Sequence, residues 1–130
     1  MAQQPLNRIL CVEDEPDIQE VLEMALVAAG RFTLLICGSG TEALMRAAEF
    51  APDLILLDVM MPEMDGPSVL KGLRQIPAVA AAPVIFMTAK AQPQEVNTFR
   101  KMGALGVITK PFDPMSLAET IRSLWSQPHE

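Results

Sequence analysis

The chain contains the segment Leu54-Ile-Leu-Leu-Asp-Val-Met-Met-Pro-Glu-Met-Asp-Gly66. Its first four residues are apolar, and a short continuous apolar run is typical of a strand buried on both faces, as in a parallel sheet. The run stops at Asp58, and Pro62 and Gly66 predict that a loop follows. Because open α/β sheets place their ligand sites at the carboxyl ends of their strands, Asp58 marks a candidate site.

Four further apolar runs occur along the chain, so that strands are predicted at residues 8–12, 32–37, 54–57, 83–87 and 105–109. After each run, apolar residues recur every three or four positions, which predicts an amphipathic helix. The alternation predicts an α/β fold of the (βα)₅ type. Such a pattern calls for a doubly wound, five-stranded parallel sheet with right-handed crossovers and helices on both faces.

Local signals predict where the helices begin and end. Pro16 suits the first turn of the first helix, and Gly30 suits its C-cap. Ser39 and Glu42 have the spacing of a capping box at the start of the second helix.

The sequence predicts the fourth helix from a weak signal and the fifth helix from a stronger one. The fourth has a thin apolar stripe, and its inner side is expected to carry Val96, Phe99 and Met102. The fifth is expected to have Asp113 as its N-cap and Pro114 at its first helical position.

Composition restricts the class of protein. A chain of 130 residues suits one domain, here spanning residues 1–130 with a core of about 7–126, and no output domain is visible. The formal net charge of -6 argues against direct nucleic-acid binding, because no basic patch is available for phosphates. The chain lacks a secretory signal and an apolar run near the roughly 18 residues that cross a membrane, so we expect a cytoplasmic protein. Cys11 and Cys37 lack metal-ligand spacing and are expected to be buried, reduced thiols rather than a disulfide.

Polar residues follow or close the apolar runs at the predicted carboxyl ends of four strands. They are Glu13, Asp14, Asp58, Thr88 and Lys110. Three carboxylates at one edge repel each other unless a cation compensates, and Mg²⁺ accepts a few carboxylates together with water and phosphate oxygens. The set suits phosphoryl transfer to Asp58 as the nucleophile. Lys110 and the metal would stabilise the phosphoryl oxygens, and Thr88 would hydrogen-bond them.

Four motifs together resemble the receiver domain of two-component response regulators. They are Val12-Glu-Asp-Glu-Pro16, Leu57-Asp-Val-Met-Met-Pro-Glu-Met-Asp-Gly66, Met87-Thr-Ala89 and Lys110-Pro-Phe112. The resemblance covers about residues 7–126. It implies the flavodoxin-like receiver fold with strand order 2-1-3-4-5, the order of a chemotaxis receiver.

The resemblance also implies roles for single residues. Asp58 would be the phosphoacceptor, Asp14 a direct ligand of Mg²⁺ (or of Mn²⁺ in its place), and Glu13 a ligand acting mostly through water. The backbone carbonyl of Met60 would complete the metal site. Lys110 would occupy the lysine position of the family, preceding Pro111 through a cis peptide bond. Thr88 would occupy the switch-hydroxyl position.

Two positions depart from the family pattern. The first acidic position is Glu13, where aspartate is more frequent. Three residues before Lys110 the family usually carries Tyr or Phe, and this chain has Val107. The usual coupling between the switch hydroxyl and an aromatic ring therefore lacks its ring.

The leading hypothesis is a receiver that accepts a phosphoryl group from a sensor histidine kinase or a histidine phosphotransfer protein. It would then switch a surface for a downstream protein target, without being an enzyme in the usual sense. The single histidine, His129, is not expected to be the phosphodonor. Two alternatives stay open, a receiver that works without phosphorylation and an aspartate-based phosphohydrolase. The second is disfavoured because Val59 and Met60, rather than a second acid, follow Asp58.

Overall fold

A computed structural model describes residues 5–127 of the chain. Strands and helices alternate as the sequence predicts. The strands are β1 (Arg8–Val12), β2 (Thr33–Cys37), β3 (Leu54–Asp58), β4 (Val84–Thr88) and β5 (Gly106–Thr109). The helices are α1 (Pro16–Glu23), α2 (Gly40–Phe50), α3 (Gly66–Leu73), α4 (Pro93–Lys101) and α5 (Leu117–Trp125). A π-helical segment, Met24–Ala29, continues α1.

The five strands form one parallel sheet in the order β2-β1-β3-β4-β5, which confirms the predicted fold and topology. All five residues of β3 are buried, as the continuous apolar run predicts for a central strand. The sheet is covered on both faces by two apolar clusters. One lies against α2, α3 and α4, and the other against α1, its π-helical continuation and α5. Among residues 5–127, no helix has the length and apolar character needed for a membrane crossing.

Both cysteines are buried and free, in agreement with the sequence. Burial raises the pKa of the Cys37 thiol to about 11 and that of the Cys11 thiol well above its usual value. Both thiols are therefore protonated at neutral pH.

The end of the first helix differs in detail from the prediction. Gly30 is the C-cap, but its φ of -86° is right-handed, and the left-handed residue is Arg31 with φ of 63°. Gly30 is needed for close approach instead. A Cβ at this position would lie 2.9 Å from the carbonyl oxygen of Ala25 and 3.1 Å from the Cβ of Ala118 in α5.

The prediction of a helix starting at Pro114 is wrong, because α5 starts at Leu117. The carboxylate of Asp113 does accept a hydrogen bond from the backbone N–H of Met115, at 2.9 Å. This contact closes a local Asx-type turn through residue 116, and the helix begins only after that turn.

Two further local predictions are met in part. Phe99 is buried on α4 and Val96 is half-buried, but Met102, the C-cap residue, is exposed. At the start of α2, Ser39 Oγ accepts from the N–H of Glu42 at 3.1 Å. Glu42 Oε1 accepts from the N–H of Gly38 at 2.8 Å, one residue earlier than in the standard capping box.

Candidate functional site

The sheet brings the predicted site residues to one edge. Asp58 and Thr88 are the last residues of β3 and β4, while Glu13 and Lys110 directly follow β1 and β5. Because the strands are parallel and adjacent in the order β1-β3-β4-β5, these four residues lie along the same carboxyl edge. Among residues 5–127, the buried polar residues are Glu13, Asp58 and Thr88.

An acidic cluster is formed by Glu13, Asp14 and Asp58. One carboxylate oxygen from each lies within 4.8 Å of the others. Three hard oxygen donors at this spacing match the chemistry that Mg²⁺ prefers, so the residues present fit a magnesium site.

Lys110 lies between two of these acids. Its Nζ is 2.9 Å from Glu13 Oε1 and 3.4 Å from Asp58 Oδ2. Burial alone would lower the pKa of Lys110, but the hydrogen bond and charge of Glu13, with the charge of Asp58, raise it overall. The side chain is therefore a fixed positive charge beside the cluster. The peptide bond between Lys110 and Pro111 is cis, as predicted.

Glu13 is fully buried and held at several points. Its Oε2 accepts from the N–H of Glu15 at 3.2 Å, and its backbone oxygen accepts from Gln19 Nε2 at 2.6 Å. Its own N–H donates to the carbonyl of Cys37 at 3.0 Å. Burial raises the pKa of the Glu13 carboxyl, and the hydrogen bond from Lys110 opposes that rise.

The sequence does not mark Gln19 as a site residue. It is one of several polar residues on an amphipathic helix, and no local spacing marks it. Its contact with Glu13 depends on how α1 packs above the end of β1, which a sequence pattern does not reveal.

The remaining predicted residues lie near Asp58. Asp58 Oδ1 accepts from the N–H of Met60 at 3.3 Å, and the Met60 side chain is exposed. Metal binding by the Met60 carbonyl stays a prediction. Thr88 Oγ1 accepts from the N–H of Lys90 at 3.1 Å. His129 lies outside the described residues.

Val107 is half-buried on β5 and is the register partner of Phe86 on β4. Phe86 is buried and packs against Phe99 of α4, with the two ring centroids 4.7 Å apart. The apolar layer between the end of β4 and α4 therefore contains two aromatic rings, neither of which is on β5.

Residues 9–122 match the family described as the response regulator receiver domain. A curated relative is the DNA-binding response regulator MtrA of Mycolicibacterium smegmatis, which is 37% identical over 117 residues. That match covers 90% of this chain and 50% of the relative, so the chain spans about half the length of that protein.

Solved structures of similar shape include the following two proteins. One is the chemotaxis protein CheY4 of Vibrio cholerae, with a TM-score of 0.84 and 28% identity, covering 92% of this chain and 99% of that one. Another is the receiver domain of a signal transduction histidine kinase from Syntrophus aciditrophicus. It has a TM-score of 0.76 and 34% identity, and the match covers 95% of each chain.

Proposed function

This chain belongs to the response regulator receiver family, and on that premise we propose that Asp58 accepts a phosphoryl group from a phosphohistidine. The donor would be a sensor histidine kinase or a histidine phosphotransfer protein. A receiver domain is a phosphoacceptor of a two-component system rather than a true enzyme. The observation that carries the proposal is the position of the Asp58 carboxylate, which lies within the acidic cluster and 3.4 Å from the Lys110 ammonium.

The transfer requires one bond to form and one to break. An oxygen of the Asp58 carboxylate attacks phosphorus, the P–N bond of the donor breaks, and its electron pair returns to the donor imidazole. Lys110 neutralises charge near the reacting oxygens, and the N–H of Met60 orients the carboxylate through Oδ1.

Asp14, Asp58 and the Met60 carbonyl, with Glu13 at the side, would hold Mg²⁺. When bound, the ion supplies positive charge to the phosphoryl oxygens. The fit rests on the oxygen donors of the acidic cluster. Mn²⁺ prefers similar ligands and is expected to substitute.

The output we propose is a protein-binding surface around α4, β5 and α5. Thr88 lies at the end of β4, where its hydroxyl could bond a phosphoryl group on Asp58. Such a bond would favour one of two arrangements of the neighbouring helix and thereby change affinity for a downstream protein target. That this chain acts inside the cytoplasm stays a prediction.

Phosphorylation with acetyl phosphate and MgCl₂ tests the proposal by intact-protein mass spectrometry. We expect one added phosphoryl group on the wild-type protein and none on Asp58→Ala. Asp65→Ala is the matched control, since it removes an aspartate from the same β3–α3 connection while leaving the acidic cluster intact. Labelling that survives Asp58→Ala would refute the assignment.

A receiver that acts without phosphorylation is the second candidate, and Val107 is the observation that favours it. Beryllofluoride, a phosphoryl mimic, distinguishes the two by amide NMR. The leading proposal expects shifts at Thr88, Val107 and along α4. Spectra unchanged at these positions, in a protein that binds the mimic, would favour the second candidate.

A further inference from the structure

We propose that the side chains of Phe86 and Phe99, here called the aromatic pair, transmit the signal from the phosphoacceptor site to α4. In this chain β4 thus supplies the ring that β5 lacks. The inference deepens the proposed function and rests on it, because it assumes that Asp58 takes a phosphoryl group and that Thr88 responds. It gives Phe86, rather than Val107, the task of following Thr88.

Phe86 is the neighbour of Thr88 on one face of the sheet. The two residues are two positions apart on β4. Alternate residues of a strand point to the same face and lie about 6.6 Å apart along it. Both are buried, and the Phe86 ring belongs to the apolar cluster that lies against α2, α3 and α4. A turn of the Thr88 side chain towards Asp58 therefore changes the surroundings of this ring.

The Phe86 ring lies between two helices that are held unequally. On one side, its Cε1 would be 3.1 Å from a Cβ placed at Gly66, the first residue of α3. On the other side, its centroid is 4.7 Å from that of Phe99 in α4, with the ring planes inclined by 37°. In these two fully described helices, α3 buries four residues and α4 buries one. A displacement of the ring is thus resisted by α3 and can be accommodated by α4.

Gly66 also brings the ring close to the backbone of the phosphoacceptor. A Cβ at Gly66 would lie 2.7 Å from the carbonyl oxygen of Asp58, on top of its contact with Phe86. Only about the space of one methyl group therefore separates the ring edge from that oxygen. The aromatic pair begins at the site and ends on α4.

Val107 is poorly suited to the same task. It is the register partner of Phe86 on β5 and packs against the same apolar cluster. Its side chain ends one bond beyond Cβ, and its branching restricts rotation about χ1. A turn of Thr88 leaves it with few alternative positions, whereas the longer Phe86 side chain already contacts the ring on α4.

The alternative is that the aromatic pair only packs, since such pairs stabilise many protein cores. Packing alone predicts that loss of a ring lowers stability without changing how α4 responds to the site. Transmission predicts that a folded variant binds a phosphoryl mimic normally and fails to pass the change to α4. The response of α4, rather than stability, is therefore the quantity to measure.

The test uses amide NMR of the full chain with Mg²⁺, before and after addition of beryllofluoride. Phe86→Leu and Phe99→Leu each remove one ring and keep an apolar side chain. In both variants we expect the Thr88 amide to shift as in the wild type. The mean shift of the α4 amides should fall to about half or less, as expected when a coupling contact is lost. The ¹⁹F signal of the bound mimic verifies binding, and the amide spectrum without it verifies folding.

Three further variants separate transmission from general effects on the core. Met87→Leu is the matched control, because Met87 is also buried on β4 beside Thr88 but belongs to the cluster on the opposite face. It should keep the full α4 response, and so should Val107→Ala. The double variant Phe86→Leu/Phe99→Leu should lose no more response than the more affected single variant, because two rings in series are not additive.

The proposal is overturned if Phe86→Leu and Phe99→Leu keep the wild-type response, or if Met87→Leu or Val107→Ala loses as much as they do. If Phe86→Leu does not fold, Phe99→Leu decides in its place. A wild-type protein that binds beryllofluoride without any response in α4 also overturns it, while leaving Asp58 as the acceptor. A wild-type protein that does not bind the mimic would refute the proposed function and the transmission together.

Discussion

Helix α3 follows the strand that ends in Asp58, whereas α4 follows the strand that ends in Thr88, and both pack on the same apolar cluster. The two helices differ greatly in how many of their residues are buried against that cluster. The buried residues of α3 are Gly66, Val69, Leu70 and Leu73. Phe99 is the only buried residue of α4, all of whose residues the structure describes. The starts of the helices differ too, because Asp65 caps α3 with a side-chain hydrogen bond and Gln92 makes none for α4.

The difference indicates which side of the site can respond to a change. A helix with few buried contacts opens at a lower free energy than one with many. Thr88 lies two residues from Phe86, the ring on which Phe99 of α4 rests. A bond formed at Thr88 therefore acts next to the weakly held helix, while α3 keeps the loop after Asp58 in place.

The largest expected effect comes from weakening α3. Leu73→Ala should lower the free energy of unfolding by about 3 kcal/mol, because Leu73 is fully buried and its truncation leaves a cavity. Urea denaturation measures the loss, and hydrogen exchange should show it across α3 and the sheet together. Leu73→Met keeps the volume and should cost about 1 kcal/mol or less. A loss confined to α3 amides would show that α3 is no better attached than α4.

A smaller and more local effect is expected for α4. Phe99→Ala should cost about 2 kcal/mol, below the usual range for a buried phenylalanine, because the cost cannot exceed the free energy with which α4 is attached. Amides of α4 should lose protection from exchange while those of β3 keep theirs. Phe99→Leu, which keeps an apolar contact with Phe86, serves as the control. Equal loss of protection in α4 and β3 would contradict the comparison.

The same contrast explains what the sequence could and could not predict. The strand ending in Asp58 is a continuous apolar run between clear breakers, so its position and burial were predictable. The α4 stripe has few apolar residues, and the prediction that Met102 lies on the inner side is wrong. Its N–H still donates to the carbonyl of Thr98, but its side chain is exposed at the C-cap. Helical spacing alone therefore does not show whether an apolar residue at a helix end is covered.

Contacts made through tertiary packing could not be predicted from the sequence pattern. The polar residues at the strand ends could be grouped, since parallel strands share an edge. Lys110 is closer to Glu13 than to Asp58 by only a few tenths of an ångström, which a sequence pattern does not resolve. The hydrogen bond between Gln19 and Glu13 likewise depends on how α1 packs. The sequence Met24–Ala29 likewise carries no signal that distinguishes π-helix from α-helix.

Removing the cap of α3 should make the start of that helix resemble the uncapped start of α4. Asp65→Ala is expected to cost about 1 kcal/mol at neutral pH, because Asp65 Oδ1 accepts from the N–H of Ser68 at 2.9 Å. That hydrogen bond lowers the pKa of Asp65 in the folded protein. A lowered pKa means that the contribution is complete above the usual carboxyl range and is lost as the pH falls through the folded value.

Urea denaturation of Asp65→Ala and the wild-type protein at neutral and acidic pH measures this dependence. The difference between them should shrink in acid. Asp65→Asn, which keeps an oxygen acceptor at every pH, should retain most of the stability throughout. A difference between wild type and Asp65→Ala that is independent of pH would exclude the ionised carboxylate as its origin.

The smallest effect is expected from giving α4 the cap that α3 already has. Gln92 has extended backbone angles, φ of -69° and ψ of 154°, that suit an N-cap, and Pro93 follows it in the first turn. Gln92→Asp should therefore add a side-chain acceptor for N–H groups of the first turn and a favourable charge at the helix start, raising stability by about 0.5 kcal/mol. Exchange protection should rise in α4 and stay unchanged in α3.

Gln92→Ser separates the hydrogen bond from the charge, since it can cap without adding a carboxylate. If neither variant increases protection, the weak attachment of α4 comes from its single buried residue, and the uncapped start contributes nothing to the difference between the two helices.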